Sequence, residues 1–435
     1  MIYIAIFLLM LVGVYAFDYR KTRQFSLLYY LFFLVVLILI SGLRYRLGTD
    51  SVVYEGYYDQ VPTLWELGRF KFDSTRYEPG YMVFASVAKS ISPDFMMLQL
   101  LHAIVVNSVV FWFIYKVTPN RFLGLSFYFI ILYFNLNMQV MREALAVCFF
   151  LLAWPSFRDG KWLWYYLLVI PATLSHSSAI LMLLVPLCCL PGVRELFVFG
   201  RRTFLICILV LGIGIFIQTR FSQVFNFMAV TERMMDRVNA YSANKQSGNI
   251  LNIAGMIGVV SQFCIYPLLA LYFMNQNRRF LLHGRQDFLP RKNRFKLTQQ
   301  EKREIREQRR EQRREDREFY RWQIMVLLSV YVMIFSVPMF IFARYFNYFG
   351  LFSLCTVATW AFSRLRVGTK RIRLQFAGWV LALIPYIGFN LMAFNAPANR
   401  SGTLKVYQIY YPYKSRLNPE MDPEREAIYR YFNAR

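Results

Sequence analysis

Histidine is nearly missing from this chain: His102, His176 and His283 are the three in 435 residues, and they lie far apart in different segments. So small a supply argues against a dedicated zinc centre, while carboxylate coordination of magnesium or calcium stays open. Cysteine is sparse too, and all six (Cys148, Cys188, Cys189, Cys207, Cys264 and Cys355) fall inside apolar runs, which argues against a disulfide framework or a thiolate metal site. No glycine-rich phosphate loop and no metal-ligand spacing occurs, and no cofactor is expected. Acidic residues are outnumbered, 25 against 50 Lys and Arg, for a formal net charge of +25 at pH 7.

Apolar residues are abundant instead. They make up 57% of the chain, with 18% aromatics, more than one soluble core can bury, and they gather in runs long enough to cross a bilayer. The expected fold class is all-α, a polytopic transmembrane bundle of about twelve spans. The runs cover 1 to 17, 25 to 43, 95 to 115, 122 to 138, 141 to 157, 161 to 175, 177 to 192, 203 to 219, 251 to 274, 322 to 343, 345 to 362 and 374 to 394. Residues 80 to 92 are apolar but short: a dozen residues rise about 18 Å as a helix, against a hydrocarbon core of about 30 Å, so an outer-surface or re-entrant helix is expected there. The first run lacks a basic stretch before it and a small-residue cleavage site after it, and reads as a retained span.

Charge sets the expected topology. Arg20, Lys21 and Arg23 follow the first span, favouring an N-terminus outside and this loop inside. Alternating from there, 31 of the 50 Lys and Arg fall on inside segments, as the positive-inside rule requires. The basic excess therefore reads as topology and contact with anionic membrane lipids, and no nucleic-acid partner is expected. Four regions follow: 1–274 with an outer loop 44–94, a basic inner segment 275–321, a second membrane part 322–394, and an outer tyrosine-rich tail 395–435.

The segment 275–321 holds sixteen basic and eight acidic residues. From Thr298 it reads as a solvated helix, with Thr298 and Glu301 as a capping box and Glu307, Arg310, Glu311 and Arg314 as neighbouring opposite charges. It serves either as a charged connector or as a docking helix for a partner or anionic lipid. In the tail, Tyr407 to Tyr413 is rich in tyrosine, suited to the membrane interface or to an aromatic sugar platform.

On this topology the unusual charges converge on the outer face. Arg44, Arg46 and Asp50 follow the second span, Glu78 closes the same loop, and Arg142, His176 and Arg344 sit at three later outer turns. Structural readings exist for each: Arg44 and Arg46 as snorkelling side chains, Arg142 with Glu143 as a hairpin turn, His176 as a satisfied turn histidine, Arg344 as a span end, and His102 as a packed core residue. An arginine inside a span costs about 2.5–3.5 kcal/mol on insertion scales and tends to be kept for a use.

Gly42-Leu43-Arg44-Tyr45-Arg46-Leu47-Gly48-Thr49-Asp50 followed by Tyr54, then Glu78-Pro79-Gly80-Tyr81, Arg142-Glu143-Ala144-Leu145-Ala146 and Ser175-His176-Ser177-Ser178-Ala179 resemble, in this order, the EpsG-like family of Wzy-type bacterial polysaccharide polymerases. The resemblance covers most of the membrane region, but neither 275–321 nor the tail. It implies an architecture similar to the glycosyltransferase C superfamily, an inner-membrane location, and action at the periplasmic face on polyprenyl-pyrophosphate-linked oligosaccharide donor and acceptor. A chain-length regulator and a flippase of the same pathway are the implied partners.

The residue types suit that chemistry. Arginine pairs with phosphate oxygens through a fixed fork of donors without a metal, so Arg44, Arg46, Arg142 and Arg344 are the pyrophosphate-binding candidates. A base must take the proton of the attacking sugar hydroxyl, a role assigned to Asp50, with Glu78 and then His176 in reserve. Direct attack inverts the anomeric centre; a retaining route would need a carboxylate nucleophile. Tyr54 and Tyr81 are candidates for lining the sugar path. Two other classes compete: a polysaccharide flippase, which should carry repeated halves and interior charges, and a membrane O-acyltransferase using His176 as base.

Overall fold

In a computed structural model the protein is described over residues 2–70, 72, 77–219, 258–286, 299–362, 364–367, 370–373, 376–397, 403–420 and 422–433. The chain forms two compact units, one from Met1–Pro155, Trp162–Val185 and Leu374–Arg435, the other from Ser156–Lys161 and Pro186–Arg373.

In the first unit α1 (Ile2–Gly13) continues as a π-helical stretch, Val14–Tyr19, and is followed by α2 (Ser26–Gly42), α3 (Ser51–Tyr58), α4 (Pro79–Ile91), α5 (Phe95–Val117) and α6 (Arg121–Tyr128). Two π turns, Phe129–Tyr133 and Asn135–Gln139, lead from α6 to α7 (Met141–Asp159), and α8 (Trp162–Ser175) ends at a 3-10 helix, Ser177–Cys189. Asp94 starts α5 by accepting a hydrogen bond from Met96 N at 2.8 Å, satisfying a donor that the first turn leaves open. Pro79 opens α4, where its missing N–H costs nothing.

A buried polar ring fixes the approach to α7. Asn107 donates to Asn137 Oδ1 at 2.7 Å, Asn137 donates to the Tyr128 hydroxyl at 2.8 Å, and that hydroxyl donates back to Asn107 Oδ1 at 3.2 Å. All three side chains are sealed from solvent, where an unpaired amide would be costly, so the ring locks α5, α6 and the Asn135–Gln139 turn in one register.

The second unit contains α9 (Pro191–Arg194), α10 (Arg201–Thr219), α11 (Tyr266–Gln286), α12 (Gln299–Ser336) and α13 (Phe346–Ala361), with a short antiparallel hairpin, β1 (Arg364–Val367) and β2 (Lys370–Arg373). Buried hydrogen bonds from Trp322 Nε1 to Thr356 Oγ1 (2.8 Å) and from Ser353 to Ser329 (2.9 Å) join α12 to α13. The chain then returns to the first unit as α14 (Phe376–Phe394) and α15 (Pro423–Asn433).

Each of the twelve expected segments is largely helical over its described residues. Among the described residues, five helices are able by length and composition to cross a membrane: Ile2–Tyr19, Phe95–Val117, Arg201–Gln218, Gly258–Gln276 and Arg310–Ser336. A sixth arises if Ser177–Cys189 and Pro191–Phe197, bent by 94°, count as one broken span. Several others, such as Ser26–Gly42 and Trp162–Ser175, are apolar but shorter. On α10, Phe204, Leu205, Ile208 and Leu209 face outward, as a helix in lipid requires. This is a helical membrane protein.

Three features refine this picture. The short apolar stretch 80–92 is indeed a 13-residue helix, α4. One helix joins the charged segment to the apolar one: α12 runs unbroken for 38 residues across 321/322, because Arg, Glu, Gln and Lys are strong helix formers and no proline or glycine interrupts it. Glu307, Arg310, Glu311 and Arg314 lie on its exposed surface, whereas Thr298, and with it the capping box, lies outside the described residues. The hairpin adds a little strand to an otherwise helical fold.

Candidate functional site

The site is assembled by two glycines that let backbones touch. Gly48 has φ +92°, and a Cβ there would lie 1.9 Å from Met138 O, so only glycine lets the Arg44–Asp50 loop press against the turn that precedes α7. At Gly80 a Cβ would meet Leu174 C and O at 2.8 Å, so α4 starts in direct contact with the end of α8. The first contact brings α3 toward the start of α7; the second sets Glu78 beside Ser175-His176-Ser177.

Arg142 is the centre of the resulting cluster. Its Nη1 donates to Glu78 Oε2 at 2.7 Å, its Nε donates to the Tyr54 hydroxyl at 3.4 Å, and its guanidinium lies 4.9 Å from the centroid of the Tyr77 ring. Tyr81 packs edge-on against Tyr77 and tilted against Tyr54, with centroids at 5.4 and 5.8 Å. The Arg142 side chain remains 22% exposed, and among the described residues no hydrogen bond engages its Nη2.

Glu78 joins two helix ends, because its Oε1 accepts from Ser177 N at 3.3 Å. Partial burial pushes its carboxyl up, but Arg142, His176 and the backbone amides together hold it below the usual carboxylate range. It is therefore an anion at neutral pH. His176 Nδ1 accepts from Ser178 N at 3.2 Å and meets Ser178 Oγ at 2.7 Å. A backbone N–H can only donate, so in the neutral imidazole the proton sits on Nε2.

The remaining candidates are placed differently. Arg44 is fully buried, donating to Ser41 O and, at 3.6 Å, to Met141 Sδ, while among the described residues its Nε finds no partner. Burial lowers it to about 10, partly offset by Tyr133, Tyr413, Tyr3 and Tyr81, so it stays charged at neutral pH. Arg46 is held in ion pairs to Glu55 (3.3 Å) and Glu426 (3.5 Å). Asp50 is exposed, just ahead of α3, and accepts from Thr49 Oγ1 at 3.4 Å; its charge bears on Tyr54 and Tyr410. Arg344 lies in the second unit, on the 3-10 helix Phe340–Tyr345. His102 is buried, with Nε2 3.1 Å from Met141 O.

Sequence reasoning did not single out Tyr77, Glu55, Arg416 or Glu426. Tyr77 borders the Glu78 motif and was legible there. The other three gain meaning through partners, some distant in the chain, which no local pattern reports. The tail also differs from a free interfacial segment: Ile409 and Tyr410 are buried, and Tyr410 O accepts from the Tyr3 hydroxyl at 3.1 Å. Among the described residues no three His, Cys, Asp or Glu side chains gather as a metal site would require.

A helical membrane protein thus holds an arginine, a carboxylate, a histidine and stacked tyrosines at the ends of its helices, the class of site suited to anionic, sugar-bearing ligands. The chain matches the EpsG family over residues 27–415 and belongs to that family, which is polysaccharide-polymerase-like. No curated protein and no solved structure matches it.

Proposed function

We propose that this protein is a glycosyltransferase that polymerises repeat units of a surface polysaccharide (an O-antigen, capsule or exopolysaccharide), taking polyprenyl-pyrophosphate-linked oligosaccharides as donor and acceptor at the periplasmic face of the inner membrane. What supports this reading most directly is the meeting of Arg142, Glu78, Tyr54 and His176, one from each of four separated motifs. Family membership and the distribution of basic residues support it further.

In the proposed reaction an acceptor hydroxyl attacks the anomeric carbon of the donor as the bond from that carbon to the pyrophosphate oxygen breaks. The electron pair leaves on the pyrophosphate, and the hydroxyl proton passes to a carboxylate. Arg142 stabilises the departing charge through Nη2, with Glu78 holding its fork in place. Glu78, already engaged by Arg142 and Ser177, is a weak base, so Asp50 keeps that role. His176 Nε2–H donates to a phosphate oxygen. Tyr54 and Tyr81 line the sugar path, and the displacement is direct, inverting and independent of a metal. Arg44, sealed inside, contributes a fixed positive field.

The test is to supply lipid-linked repeat units to membranes carrying normal amounts of the protein. Polymer is expected. Translocation of unaltered units would mark a flippase, and acyl-labelled sugar an acyltransferase; either result would overturn the proposal.

A further inference from the structure

The tail offers an unexpected set of contacts with the Arg44–Asp50 loop. Tyr45 N donates to Lys414 O (2.9 Å), Arg416 N to Leu43 O (2.9 Å), Gly48 N to Ile409 O (3.4 Å) and the Tyr429 hydroxyl to Arg46 O (2.6 Å). Main-chain contacts of this kind run along the loop from Leu43 to Gly48, so the tail seats it as a neighbouring strand would. The family match stops at residue 415, so Arg416, Glu426 and Tyr429 come from beyond it.

Side chains tie the same elements. Arg416 Nη1 reaches Asp94 Oδ1 at 3.1 Å, its Nη2 pairs with Glu55 Oε1, Glu55 Oε2 pairs with Arg46 Nε at 3.3 Å, and Arg46 Nη1 meets Glu426 Oε1 at 3.5 Å. Charges alternate along this chain of five. It starts at the cap of α5, crosses α3 and ends on α15. The Arg416 side chain is 17% exposed, the least of the five, so its pairs are screened less than ordinary surface ones. Glu55 follows Tyr54 directly, and Tyr54 is the residue whose hydroxyl Arg142 touches.

We infer that Arg416 is a positioning residue: with Glu55 and Arg46 it clamps the tail over the Arg44–Asp50 loop and sets the angle of α3, and thereby the place of Tyr54 beside Arg142 and of Asp50 at the start of that helix. Arg46 acts within this clamp and not on the pyrophosphate. The structural part of the inference stands apart from the polymerase reading; its effect on turnover rests on that reading.

The experiment uses the full chain in lipid nanodiscs and follows backbone hydrogen exchange by mass spectrometry. Arg416→Gln is expected to speed exchange across residues 44–58 at least tenfold while leaving 95–117 unchanged. Arg416→Lys, which keeps the charge but loses the fork, should recover part of that protection. Arg416→Gln with Glu55→Gln together should exchange no faster than Glu55→Gln alone. With lipid-linked repeat units as substrate, Arg416→Gln should lower kcat about tenfold, and Arg416→Lys should restore part of the loss. Should Arg416→Gln fail to fold, Glu426→Gln and Tyr429→Phe probe the other end of the clamp by the same exchange. Unchanged protection in each folded variant would overturn the clamp. Faster exchange in a protein whose unsubstituted form makes no polymer would uphold the clamp and sink the polymerase reading instead.

Discussion

Arg142 Nη1 stands 2.7 Å from Glu78 Oε2, joining residues 64 positions apart. The pair holds the guanidinium by one carboxylate contact, and among the described residues no hydrogen bond engages Nη2, the donor of the proposed reaction. Removing either partner leaves the other charge partly buried and unpaired.

Arg142→Ala should lower chain growth about 10²- to 10³-fold, the usual loss when a preorganised donor to a developing negative charge is removed. Arg142→Lys should recover little, because a point charge replaces a fork. Polymer made from lipid-linked units at matched protein abundance reports this. Undiminished growth in Arg142→Ala would remove the residue from the mechanism.

Asp50→Asn should cost about 10²- to 10⁴-fold, the range for loss of a general base. It should also abolish the acid limb of the pH–rate profile. If Glu78→Gln removes that limb and Asp50→Asn does not, the base is Glu78.

Glu78 has a carboxyl held below its ordinary value of 4.5 in the folded protein. Its contribution to stability is fully present above about pH 4.5 and is lost as the pH falls through the lower folded value. Relative to Glu78→Gln, the native protein should therefore melt higher at pH 7, and the gap should close below pH 4.5. A gap that widens on acidification would contradict the assignment.

Gly48→Ala should destabilise more than Gly80→Ala. At Gly48 the new methyl meets a carbonyl oxygen at 1.9 Å and the backbone has φ +92°, whereas at Gly80 the nearest atoms stand at 2.8 Å. Crowding of this kind costs about 1–3 kcal/mol, and the positive φ adds about 1 kcal/mol at Gly48. Thermal melting in detergent, with polymer yield as a second readout, orders the two.

The outlines of the fold were legible because apolar runs and helix formers are local signals. Over their described residues the twelve stretches read from hydropathy are largely helical, and α4 is the short helix that its length implied. Span lengths were less legible, since π turns and proline-marked bends such as that at Pro191 shorten or redirect helices without changing their hydropathy. In the site, Glu78, Arg142, Tyr54, Tyr81 and His176 come together, whereas Arg46 is taken up by Glu55 and Glu426, and Arg44 is enclosed. Both arginines look alike in sequence, two positions apart in one loop; burial and partner separate them.

Sequence alone determined that this is a helical membrane protein of the EpsG family with its unusual charges at helix ends, because hydropathy and motif spacing are written along the chain. Which guanidinium keeps donors to spare, which one is spent on Glu55, and how the tail locks onto the Arg44–Asp50 loop were decided only by tertiary structure. A charge acquires its role from neighbours within a few ångströms, and here those neighbours, Glu78 for Arg142 and Glu426 for Arg46, arrive from distant segments.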